Sequence, residues 1–103
     1  MNERLCLLVV VVPEALEDRL IDELLLHPHW VTGFDSQPVE GHGSRLARHS
    51  AAERVRGRAR RTRLEMVMAP GHARALLDHL RAVLPQPDVV YWTQTLEDFG
   101  RLA

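Results

Sequence analysis

The sequence predicts one α+β domain over residues 1–103, ordered β-α-β-β-α-β, with an antiparallel sheet carrying both helices on one face. Three observations predict it. A short apolar run, Leu5 to Val12, is β-branched towards its end and closed by Pro13, which reads as a central strand with apolar side chains on both faces. Two later stretches carry apolar residues at helical spacing, each bounded by proline. Between the two middle strands lies a polar, arginine-rich connection too long for a hairpin turn.

The elements follow in order. After strand one, Pro13 occupies a position that the first helical turn tolerates, and Leu16, Leu20 and Leu24 recur every four residues beside Glu17, Asp18 and Asp22. The first helix is expected from about Glu14 to His27, ending at Pro28. Aromatic and β-branched residues from Trp30 to Val39, interrupted by Gly33 and Pro38, predict a weaker edge or bulged strand. Leu64 to Met68 reads as the core part of strand three. The second helix is expected from about His72 to Leu84, burying Leu76, Leu77, Leu80, Val83 and Leu84, and Val89 to Gln94 closes the sheet. This is the ferredoxin-like arrangement, in which strands one and three are central. Because Leu5–Val12 offers apolar groups to the face without helices as well, a homo-oligomer packing sheet on sheet is expected, most simply a homotrimer.

Net charge is −1 across 103 residues, which argues against a general polyanion binder. The charge is segregated, however. Arg45 to Arg63 holds eight arginines and one glutamate, a local +7, so the remainder carries −8. Within it, Ser50 and Glu53 have capping-box spacing, predicting a short helix over about 51–56 that Gly57 stops. Alternation puts Thr62, Leu64, Met66 and Met68 on the core side of strand three, so Arg58 and Arg60, on that same side, lie where the strand has left the core. The N-terminal apolar run is eight residues, ends in proline and acids, and has no small-residue cleavage site. It is neither a signal peptide nor a membrane span, so no membrane insertion and a cytoplasmic location are expected.

Gly41-His42-Gly43 could let a ligand approach the backbone or merely release strand two. Six histidines raise transition-metal binding. His27 and His29 flank Pro28 at a helix end, where a cationic side chain is favourable in itself, while His72 and His79 are seven apart on helix two and as easily face solvent. His42 and His49, in the long connection, are the metal candidates, gathering with counterparts from other subunits, with Cys6 as a further donor. Cys6 inside an apolar run reads first as a buried, inert thiol. No nucleophile-base, paired-carboxylate or phosphate-loop motif is present, so catalysis is not expected.

"VEGHGSR" (Val39–Arg45), followed by a long loop and "RRTRLEMVMAPGHARALLDHL" (Arg60–Leu80), resembles the trimeric P-II signalling proteins. Over almost the whole chain, "GFDSQPVEGHG", "AERVRGRARR" and "YWTQTLEDFGRL" resemble the P-II-like family known as the domain of unknown function 3240. The resemblance implies a regulatory accessory of heavy-metal efflux systems of the resistance-nodulation-division type; it does not imply an activity. Nucleotide-binding P-II proteins carry a glycine- and lysine-rich loop between helix two and strand four; here that loop is "LPQPD" (Leu84–Asp88), which lacks both, so ATP binding is not favoured.

Three functions compete. A nucleic-acid arm would interleave aromatics for base stacking, and Arg45–Arg63 has none, so no DNA partner is expected. An anion or nucleotide sensor would use Gly41, His42, Gly43, Arg45, Arg58, Arg60 and, from a subunit cleft, Arg101. A docking loop would engage a partner, a membrane efflux protein being what the resemblance implies. The expectation is a P-II-like, non-enzymatic signalling trimer whose arm responds to a small ligand or divalent metal; the alternative is a copper-, zinc-, cobalt- or nickel-binding accessory protein of metal resistance.

Overall fold

A computed structural model describes residues 4–42 and 58–103. Strand β1 (Cys6–Pro13) runs into a 3₁₀ turn (Glu14–Leu16) and helix α1 (Glu17–Leu25), followed by β2 (Asp35–His42), β3 (Arg58–Met68), α2 (Pro70–Val83) and β4 (Val90–Thr95). The sheet order is β2-β3-β1-β4, every pairing antiparallel. The apolar β1 is therefore central, as is β3, and the expected ferredoxin-like topology holds.

One face of the sheet and both helices enclose the core. Leu8, Val10, Val12, Leu64 and Met66 from the sheet meet Leu20 and Leu24 of α1 and Ala73, Leu76 and Leu80 of α2, all almost completely buried. The apolar spacing of each helix puts those residues on one stripe, and burying each leucine contributes roughly 1.5–3 kcal/mol. Pro70 occupies the first turn of α2, so this helix begins two residues before the predicted His72. Arg19 of α1 donates from Nη2 to the Val83 carbonyl at 2.7 Å, while Glu23, one turn on, reaches His79. The helices thus lie antiparallel and in register.

The second strand is shifted from its expected place. It starts at Asp35, because Trp30 and Val31 belong to a turn: their amides both donate to the His27 carbonyl, at 3.0 and 2.9 Å. Val31 is buried, and Trp30 and Phe34 are packed against the core from this connection. Apolar character there reflects burial of a loop, and β2 itself is polar and mostly exposed, as suits an edge.

The face without helices is covered in part by the chain's own side chains. Val9 points away from the core, yet is fully buried between its register partners Glu65 and Trp92. The Arg63 guanidinium lies 5.1 Å from the Trp92 ring centroid, and its Nε is 3.2 Å from Glu65 Oε1, close enough for an ion pair but misaligned for a hydrogen bond. Val90 and Trp92 on the same face stay exposed, at 52% and 36%.

Candidate functional site

The candidate site begins where β1 stops. Pro13 pairs with Arg61 and the chain then turns away into the 3₁₀ segment. Beyond that point β2 and β3 continue without β1, pairing Glu40 with Arg60, Gly41 with Ala59 and His42 with Arg58. The result is a two-stranded ribbon extending past the body of the sheet. Thr62 is 4% exposed and Arg60 is exposed, so the core-to-solvent transition of β3 falls at the residue the alternation predicted. The strand continues through it, held by β2. Glu40 and Arg60 face each other across the ribbon, an arrangement contributing roughly 0.2–1 kcal/mol.

At the base of the ribbon lies an open cleft of about 670 Å³, bordered by Glu14, Glu17, Pro38, Glu40, Arg60 and Arg61. Its lining mixes three carboxylates with two guanidinium groups. Arg61 Nη1 donates to the Asp88 carbonyl at 3.1 Å. The Leu84–Asp88 loop therefore presents a carbonyl, and not an amide, to Arg61 of the sheet.

Of the residues the sequence nominated for a small ligand, Gly41, His42 and Arg58 lie at the far end of the ribbon and Arg60 at its base. Gly43, Arg45, His49 and the helix expected over 51–56 lie outside the described residues. Arg101 is exposed in the tail beyond β4. Because Thr95 pairs with Cys6, that tail leaves the sheet at the end opposite the ribbon. The nominated metal donors are separated likewise. Cys6 pairs with Met68 and His42's partner is Arg58, ten residues apart on β3 and so ~33 Å along it. One chain does not bring Cys6 and His42 together, and Cys6 is buried in the core at 5% exposure.

A different group does converge. Glu23 in the last turn of α1 and His27, two residues past the helix end, meet His79 of α2, with one donor atom of each within 4.8 Å of the others. The spacing of Glu23 and His27, one helical turn apart, and the place of His79 between the buried Leu76 and Leu80 were visible in the sequence. Which helix faces which was not.

An antiparallel β2-β3-β1-β4 sheet with two helices on one face and a β2–β3 ribbon running past it defines a P-II-like, ferredoxin-like α+β protein. The chain belongs to the family described as "Protein of unknown function (DUF3240)", whose model matches residues 1–103. A DUF3240 family protein from Shewanella baltica OS155 superposes with a TM-score of 0.74 at 20% identity, covering 99% of this chain and 100% of that one. CPII, a nitrogen regulatory PII-like protein from Thiomonas intermedia K12 bound to ADP, AMP and bicarbonate, gives 0.71 at 16%, with 96% of each chain covered. The periplasmic divalent cation tolerance protein CutA from Archaeoglobus fulgidus gives 0.69 at 10%, covering 94% of this chain and 88% of that one. No curated protein matches in sequence. Among the described residues, no helix is long and apolar enough to cross a membrane.

Proposed function

We propose that the chain is a P-II-like regulatory protein, acting without catalysis as a homotrimer, in which the β2–β3 ribbon and the arginine-rich segment it carries respond to a small ligand and dock on a partner. The ribbon supports this reading most directly: three residue pairs extend beyond β1 and hold Gly41, His42, Arg58 and Arg60 away from the core. Such a projection contributes little to folding and is free to serve recognition. The trimer draws support from the second face of the sheet, where Val90 and Trp92 remain exposed beside Val9. A heavy-metal efflux protein is the partner class that the family resemblance implies, and a cytoplasmic site of action goes with it.

A switch requires the ligand to bind two arrangements of the arm with different affinity. Adenine nucleotides and bicarbonate, bound by the Thiomonas relative, form the first panel and divalent metals the second; the mixed charge at the ribbon base favours bicarbonate over the nucleotides. A ligand selective for the native state at a hundred times its Kd raises stability by ~2.7 kcal/mol. Thermal unfolding across both panels is expected to find one such ligand, and the double variant Arg58→Ala/Arg60→Ala is expected to lose the response. Undiminished ligand and partner binding in that variant would sink the proposal.

A further inference from the structure

The geometry points to a transition-metal site between the two helices, formed by Glu23 Oε2, His27 Nε2 and His79 Nε2, and we propose that it takes a borderline divalent cation such as zinc. His79 Nε2 lies 3.1 Å from His27 Nε2 and 3.0 Å from Glu23 Oε2. One ring nitrogen lies within hydrogen-bond distance of two partners at once, a carboxylate oxygen and a second ring nitrogen whose role depends on its tautomer. If neutral His79 carries its proton on Nε2, that single N–H cannot be aimed at both neighbours. If it carries the proton on Nδ1, its Nε2 lone pair accepts from His27 but opposes the Glu23 carboxylate. A cation bonded to all three atoms takes one lone pair from each and removes the conflict.

The distances suit such an ion. Bonds of ~2.0–2.1 Å in tetrahedral geometry set neighbouring donors ~3.3 Å apart, so the two short contacts need to open by ~0.2–0.3 Å, while the His27–Glu23 pair, within 4.8 Å, adjusts to the same separation. Two imidazoles and a carboxylate match zinc, cobalt(II), nickel(II) and copper(II), whereas an all-oxygen set would suit magnesium or calcium. Three protein donors leave a coordination position for water or another ligand. The half-buried setting, with side-chain exposure of 29% for His79 and 23% for Glu23, gives that position access to solvent.

The donors are also held in place. The His27 ring stacks on Trp30 at 4.7 Å with a 17° interplanar angle, and the Trp30 amide donates to the His27 carbonyl. His79 is flanked on its helix by the buried Leu76 and Leu80, and Glu23 adjoins the buried Leu24. Arg19, one turn before Glu23, ties α1 to the end of α2 through the Val83 carbonyl. Glu23 and His79 stand on helices packed on the same sheet face, and His27 is held past the end of α1 by its amide to the Leu24 carbonyl and by its own carbonyl, which accepts from Trp30 and Val31.

The site shares no residue with the ribbon, and its test is independent of the proposed switch. The full-length protein, stripped with chelator, is titrated with zinc by calorimetry and with cobalt(II) by visible absorption. One ion per chain is expected, with cobalt bands of four- or five-coordinate geometry. Glu23→Gln keeps the packing volume and His79→Ala removes a central donor. Each is expected to raise the Kd at least about tenfold, as even loss of an outer-shell partner does. His72→Ala, an exposed histidine on the same helix, and Arg58→Ala/Arg60→Ala are expected to leave it unchanged. No binding by the parent protein, or binding that survives Glu23→Gln and His79→Ala undiminished, would overturn the assignment, the latter by placing the ion elsewhere.

Discussion

The ribbon end of the sheet and the helix pair collect chemical groups in opposite ways. At the ribbon, arginines that are close in sequence stay close in space because β3 lays them out along one line, and their number is obvious before any fold is known. Between the helices, Glu23 and His27 meet a histidine 52 residues beyond His27, and only the fold creates the cluster. The ribbon's chemistry is one of local charge with little packing beneath it. The helix cluster sits beside the buried core residues Leu24, Leu76 and Leu80, so disturbing the core there should reach it first. This contrast can be broken experimentally.

The largest effect is expected from Leu24→Ala. Leu24 is fully buried beneath the end of α1, and truncating such a residue costs roughly 2–5 kcal/mol through lost burial and the cavity left behind. Denaturant unfolding measures this directly. Because Leu24 adjoins Glu23 and precedes His27 by three residues, zinc affinity should fall with it while ligand responses of the ribbon survive. Loss of both together would show that the two regions are one cooperative unit and erase the distinction drawn between them.

The sequence disclosed regions like the ribbon better than regions like the helix pair, and the reasons are physical. Leu5–Val12 could be placed as a central strand because a run without polar alternation has no solvent side to offer. Thr62 could be placed at the core boundary because a two-residue period fixes which side chains share a face. The second strand was misplaced because Trp30, Val31 and Phe34 pack on the core from a turn, and hydrophobicity does not distinguish a buried loop from a strand. The histidines were grouped by sequence neighbourhood, His27 with His29 and His72 with His79, whereas the helix register pairs His27 with His79. That register depends on contacts such as Arg19 with the Val83 carbonyl, which no single segment encodes.

A middle-sized effect separates the two faces of the sheet. Trp92→Ala removes the ring under the Arg63 guanidinium and uncovers Val9. The partly exposed cation-π contact contributes ~0.5–1 kcal/mol, and lost burial of the ring adds to it, so a decrease of roughly 1–2 kcal/mol is expected in unfolding experiments. If this face also joins subunits, light scattering should report a shift from trimer towards monomer, and the apparent stability should become concentration-dependent. A stability loss with the same molar mass would confine Trp92 to covering its own chain and remove the main support for sheet-to-sheet assembly.

The smallest stability effect belongs to the ribbon, and smallness is the point. Arg60 is exposed, and its register partner Glu40 is one acidic group at a strand edge; exposed substitutions of this kind generally change stability by ~0.5 kcal/mol or less. Arg58→Ala/Arg60→Ala should therefore unfold within about 1 kcal/mol of the parent protein, allowing for the cross-strand pair. An element kept for recognition can lose its side chains without loss of fold, because the pairing of β2 with β3 is made by backbone groups. A drop of several kcal/mol would instead mean that the ribbon arginines are structural cross-braces, and the charge gathered there would then need no ligand to explain it.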